Sequence, residues 1–108
     1  MKVLHENKFG HIARCQCCQE LQIKLGNVVL SFSDDQYSQF DNFFNEIRED
    51  IFTEKLCFKK NRRYVVVTNY KGVVLSLTHT ELLDTIELLN FSTMMISVNE
   101  IMDLSENF

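Results

Sequence analysis

A chain of 108 residues, 45% of them apolar and nine of them Phe, is long enough for one core and buries roughly 65% of its unfolded surface. A net charge of −4 argues against a general binder of nucleic acid or of an anionic membrane, which would be basic. The absence of a bilayer-length apolar run or a signal-like stretch after Met1 implies a cytosolic setting, where four cysteines read as buried thiols, metal ligands or redox thiols. With no proline and no Ser/Gly-rich tract, residues 1–108 read as a single α+β domain.

In chain order, Lys2–Glu6 and residues 11–15 alternate as two strands. Between them, Asn7-Lys8-Phe9-Gly10 predicts a type I turn closed by a glycine bulge. Leu21–Leu25 and residues 28–33 make a second hairpin through Gly26-Asn27, where glycine supplies the positive φ. A capping box, Ser33-x-x-Gln36, then opens a helix whose Tyr37, Phe40, Phe44, Ile47 and Ile51 form one apolar stripe. A third hairpin joins residues 64–68 to 73–78 through Asn69-Tyr70-Lys71-Gly72. A second capping box, Thr78-x-x-Glu81, starts a helix with Leu82, Ile86 and Leu89 inward and Leu83 and Leu88 widening the face. A third box, Ser97-x-x-Glu100, predicts a short last helix through Ile101, Met102 and Leu104.

The middle of the chain nearly repeats forty-five residues later. Val28-Val29-Leu30-Ser31-Phe32-Ser33 returns as Val73-Val74-Leu75-Ser76-Leu77-Thr78, Phe43-Phe44 as Leu88-Leu89, and Asn45 as Asn90. Residues 20–51 and 63–92 therefore read as pseudo-repeats of a ββα plan, preceded by an N-terminal hairpin. The expected fold is a largely antiparallel sheet of about six strands with two main helices on one face.

Few residues are left over for chemistry. Cys15-Gln16-Cys17-Cys18 places Cys15 and Cys18 at a spacing that lets two thiolates converge on one metal ion. If the first hairpin closes as drawn, His5 lies opposite Ala13, diagonal to Cys15 on the same face, and is a third candidate ligand. A structural zinc needs four ligands, so the isolated Cys57 or a second chain's Cys15 and Cys18 would complete the set. The competing reading is of small buried thiols with no ligand. Dithiol chemistry ranks below metal, because no helix start lies near the motif to lower a thiol pKa.

His11 reads as a surface histidine, and His79 falls in the first turn of the second helix. Asp34 and Asp35 are explained by the helix N-terminus. No nucleophile–base arrangement or carboxylate dyad can be assembled. Lys59-Lys60-Asn61-Arg62-Arg63-Tyr64 is a basic run that could grip an RNA strand, but it is short and reads better as a patch against Glu49, Asp50 and Glu54. Phe43, Phe52 and Phe58 exceed what one helix stripe needs and either cover the opposite edge of the core or form a dimer face, with homodimerisation the preferred reading.

Gly10-x-Ile12, Cys15-x-x-Cys18, Leu21, Gly26 and Leu30-Ser31-Phe32 before an aromatic-rich helix carry a resemblance across residues 4–47. The segment resembles a family of small uncharacterised proteins of Bacteroidetes-type bacteria. That resemblance implies a bacterial cytosolic origin and points at Cys15 and Cys18. The expectation is a non-enzymatic binding or regulatory module that forms a homodimer. Its alternatives are a zinc-stabilised protein holding metal through Cys15 and Cys18 with His5 or Cys57, and an RNA-associated accessory protein.

Overall fold

The structure, a computed structural model, describes residues 1–52, 63–68 and 72–106. Strands β1 (Lys2–Glu6), β2 (Gly10–Arg14), β3 (Leu21–Leu25) and β4 (Val28–Phe32) form one antiparallel sheet in that order. Helix α1 (Asp34–Phe52) follows, then a hairpin of β5 (Tyr64–Val67) and β6 (Val74–Leu77), and then helix α2 (His79–Glu106).

The α+β class and the antiparallel pairing match the sequence pattern. The single six-stranded sheet does not form: among the described residues β5 and β6 pair with each other and not with the larger sheet. Alternation decides which side chains a strand buries, but it carries no information on which free edge a hairpin joins. The hairpin turns Val66, Leu75 and Leu77 onto the core and Val65, Val67 and Val74 outward. Nor do residues 20–51 and 63–92 fold as equivalent halves. One hairpin belongs to a four-stranded sheet and precedes a 19-residue helix; the other forms its own sheet and precedes a helix of 28 residues.

Both helices begin where their caps dictate. The Ser33 hydroxyl accepts from the Gln36 N–H at 3.3 Å, while Gln36 Oε1 accepts from the Ser33 N–H at 2.9 Å. At α2 the Thr78 hydroxyl accepts from the Glu81 N–H at 3.2 Å, and Glu81 Oε1 from the Thr78 N–H at 2.8 Å. The third box starts no helix. Ser97 lies inside α2, where its hydroxyl donates to the Thr93 carbonyl one turn back at 3.3 Å. No Pro or Gly interrupts residues 79–106, so the expected short last helix is a continuation of α2.

Cross-strand partners place Leu21 beside Phe32, Ile12 beside Ile23, and Ile23 beside Leu30, on one face of the sheet. Both helices pack on that face. Phe40 of α1 meets Phe32 with ring centroids 5.0 Å apart, and Phe91 of α2 stacks on His5. Phe32, Phe40 and Phe44 are fully buried, each contributing about 1.5–3 kcal/mol of transfer free energy. Phe43 is partly buried against the same core and meets Phe44 edge-on. The side chain of Phe52, and Phe58 altogether, lie outside the described residues.

The first turn departs from its expected form. Asn7 Oδ1 accepts from the N–H groups of Phe9 and Gly10, and the Asn7 N–H donates to the Gly10 carbonyl. Gly26 has φ +59°, as its two-residue turn requires, but Gly10 has no positive φ and makes no left-handed bulge. Glycine is needed at position 10 for another reason. A Cβ there would collide with the Lys24 carbonyl on β3.

Candidate functional site

After β2 the chain turns through residues 15–20 before entering β3. The Cys15 N–H donates to the Glu20 carbonyl at 2.8 Å, and the Gln19 N–H to the Cys15 carbonyl at 3.0 Å. Gln19 takes φ +62°, a left-handed conformation that costs a residue with a Cβ about 1–2 kcal/mol. Its neighbours hold it there: Gln19 Nε2 donates to the Gln16 carbonyl at 3.1 Å, and Arg14 Nη1 donates to the Gln19 carbonyl at 2.8 Å. Arg14 Nη1 also meets Asp34 Oδ1 at 3.1 Å, in the first turn of α1. The turn is therefore tied to both β2 and α1. Folding brings a helix start to within one side chain of the motif, which linear spacing did not show.

Inside the turn, the Cys15 sulfur accepts from the N–H groups of Cys18 and Cys17 and hydrogen-bonds to the Cys18 thiol. These contacts, the Cys18 N–H first among them, hold the Cys15 thiol below its ordinary range. At Cys18 the Glu20 N–H pulls downward, but the bond to Cys15, burial, and the nearby Cys15 and Glu20 charges together raise the thiol. Cys15 is half-buried; Cys17 and Cys18 are exposed. Of the two sulfurs, Cys15 is the one on which the backbone donors favour thiolate charge.

His5 is elsewhere. The β1–β2 pairing shifts between Val3 and His5, leaving Leu4 as an extra residue, so His5 pairs with Ile12 and not with Ala13. A shift of one residue moves a side chain to the other face of a sheet. His5 consequently turns to α2, where Nε2 lies 3.1 Å from Glu87 Oε1 and the ring stacks on Phe91 at 4.7 Å. Cys57 lies outside the described residues. Of the four predicted ligands, Cys15 and Cys18 share one turn, and His5 on β1 points at α2. Among the described residues no three His, Cys, Asp or Glu side chains gather into a metal cluster.

The basic run is described only from Arg63 onward; residues 59–62 lie outside. The Arg63 guanidinium donates to the Ser76 hydroxyl and carbonyl, each at 3.0 Å, and meets Glu81 at 3.4 Å. It joins β5, β6 and the start of α2. His11 is half-buried on β2, and Asp34 and Asp35 occupy the first turn of α1 as the dipole argument expects.

Two features escaped the sequence reading. The first is a buried polar link between the helices. Tyr37 OH donates to the Leu89 carbonyl at 3.2 Å and lies 2.9 Å from the Thr93 hydroxyl, which donates to Asp41 Oδ2 at 3.1 Å. Asp41 Oδ1 accepts no hydrogen bond among the described residues. Burial raises the Asp41 carboxyl above its ordinary range, against the opposing hydrogen bond from Thr93, and burial raises the Tyr37 phenol as well.

The second is the outward face of α2. Leu82, Ile86, Leu88 and Leu89 point into the core, yet Phe91, Met94, Val98, Ile101 and Met102 are 40–63% exposed. At 100° per residue these five share a stripe opposite the buried one, with Phe91 at its edge, where one side of the ring stacks on His5. Their spacing of three and four residues was visible in the sequence, but only the fold shows that the core lies on the other side. Between Phe91 and Asn99 the helix carries no charged residue on any side, while the core covers one side of it. No helix among the described residues is long and apolar enough to cross a membrane.

Residues 1–107 match the model of a family described as a family of unknown function (DUF6686). No curated protein and no solved structure matches.

Proposed function

We propose that this chain, which belongs to the DUF6686 family of unknown function, is a non-enzymatic binding or regulatory module that works as a homodimer. The outward face of α2 carries the reading. Phe91, Met94, Val98 and Ile101 repeat at three, four and three residues, the spacing with which two like helices interlock. No charged residue falls between Phe91 and Asn99, so two copies of this stretch meet without like-charge repulsion. A specific interface covers on the order of 1,000 Å² or more, which calls for packing along the whole exposed stripe and not at one residue. An isologous pair of this kind also closes on itself and leaves no apolar stripe for further growth. The proposed setting is a bacterial cytosol, on the strength of the resemblance in residues 4–47.

Light scattering on the size-exclusion peak tests the reading. The wild-type chain is expected at the dimer mass, and Met94→Glu/Val98→Glu at the monomer mass with its helical circular dichroism retained. A wild-type monomer at all concentrations would mean that α2 serves a different protein, and the homodimer reading would fall.

A further inference from the structure

We infer that Asp41, Thr93 and Tyr37 form a proton-operated clasp between α1 and α2, closed while the Asp41 carboxyl carries a proton and slackened when it ionises. The oxygens lie in series across the two helices. Asp41 Oδ2 is 3.1 Å from the Thr93 hydroxyl, which is 2.9 Å from Tyr37 OH, which is 3.2 Å from the Leu89 carbonyl. With Asp41 neutral there is a proton for every link. Its O–H donates to Thr93, Thr93 donates to Tyr37, and Tyr37 donates to Leu89, so each hydroxyl both gives and takes a hydrogen bond. With Asp41 ionised the chain is one proton short. Thr93 must then donate to the carboxylate, and Tyr37 can serve Leu89 or Thr93 but not both. Asp41 Oδ1 accepts no hydrogen bond among the described residues, so the proton belongs on Oδ2. The ionised form also leaves charge on a buried oxygen that no donor meets.

The clasp lies within one chain and stands apart from the pairing of copies. Little around Asp41 can take over its charge. On α1, Tyr37 belongs to the chain, and burial raises its phenol so that it keeps its proton. Asp34, two turns earlier, meets Arg14 of β2, and Arg48 and Glu49, two turns later, line a cleft with Asn45 and Asn90. From α2 come Thr93 and the Leu89 carbonyl, which do not titrate, while Glu87 is turned to His5 of β1. β4 packs Phe32 against Phe40 of α1. Among the described residues Asp41 takes part in no ion pair. Burial outweighs the Thr93 bond and raises the Asp41 carboxyl. The clasp is therefore fully closed below the unfolded carboxyl value of about 3.9 and slackens as pH rises through the raised one.

Two measurements on the full chain test the clasp. NMR of the Asp41 side-chain carboxyl carbon gives its titration midpoint, and amide hydrogen exchange, corrected for intrinsic rates, reads the hold between the helices. In the wild type, protection over residues 37–41 and 89–93 should rise about fivefold as pH falls through that midpoint, the scale of one net hydrogen bond. Asp41→Asn carries no charge and offers Thr93 an N–H, so its protection should match the acid value of the wild type and stay flat across the range. Tyr37→Phe should lower the Asp41 midpoint, because the neutral carboxyl then gains no further link. Wild-type protection that ignores pH would overturn the clasp. An equal pH response in Asp41→Asn would also overturn it, by assigning the response to another group. A midpoint unmoved in Tyr37→Phe would mean that burial alone holds the proton and that no chain joins the helices. Should Tyr37→Phe fold poorly, the wild type and Asp41→Asn still decide the case.

Discussion

Asp41 shows how one side chain can work against its own fold. It is 9% exposed, one of its oxygens takes the Thr93 hydroxyl, and the other has no hydrogen bond among the described residues. Folding raises its pKa, so the native chain holds the proton more tightly than the unfolded chain does. The charged form therefore lowers stability above the raised pKa, and that loss is removed as pH falls below the unfolded value near 3.9. Asp41→Asn keeps an oxygen for Thr93 and removes the charge. It should raise stability at pH 7 by about 1 kcal/mol, the scale of an unpaired buried polar group, with the gap to wild type closing in acid. Thermal melts across pH would show it, and a lower melting temperature for the variant at pH 7 would mean that the carboxylate is required.

Caps decide where the elements begin. Ser33 and Thr78 each satisfy a donor that the helix start would otherwise leave open, and Gln36 and Glu81 return the bond. Replacing either cap residue with Ala should cost about 1 kcal/mol, measurable by urea unfolding. The two losses should be additive, because the caps lie on different helices and share no hydrogen-bond partner. Ser97→Ala should be nearly neutral in the same assay, since Ser97 bonds back within α2 and caps nothing. A loss at Ser97 equal to that at Ser33 would reinstate a helix boundary inside α2.

For the molecule as a whole, α2 sets the shape. Its 28 residues span about 42 Å at 1.5 Å each, most of the 51 Å long axis. It crosses the sheet face over β1 and β2, and its other side stays apolar and exposed. Dimerisation through that side would bind the native state and not the unfolded chain. The melting temperature should then rise with protein concentration in the wild type and stay constant in Met94→Glu/Val98→Glu. A wild-type melting point independent of concentration would contradict the proposed assembly.

The sequence by itself determined the local structure: both capping boxes, the three hairpins, the alternation that buries Leu21, Ile23, Leu30 and Phe32, and the positive φ at Gly26. These features depend on residues a few positions apart, and their physics is contained within a short window. Tertiary structure decided everything that depends on registration between distant segments. The extra residue at Leu4 turned His5 from the cysteines to α2, the third hairpin kept its own sheet, and Phe43 packed against the core while α2 was left with an uncovered apolar side. A bulge, a choice of sheet edge and the side of a helix that meets the core are settled by packing across the whole chain, which spacing along it does not encode.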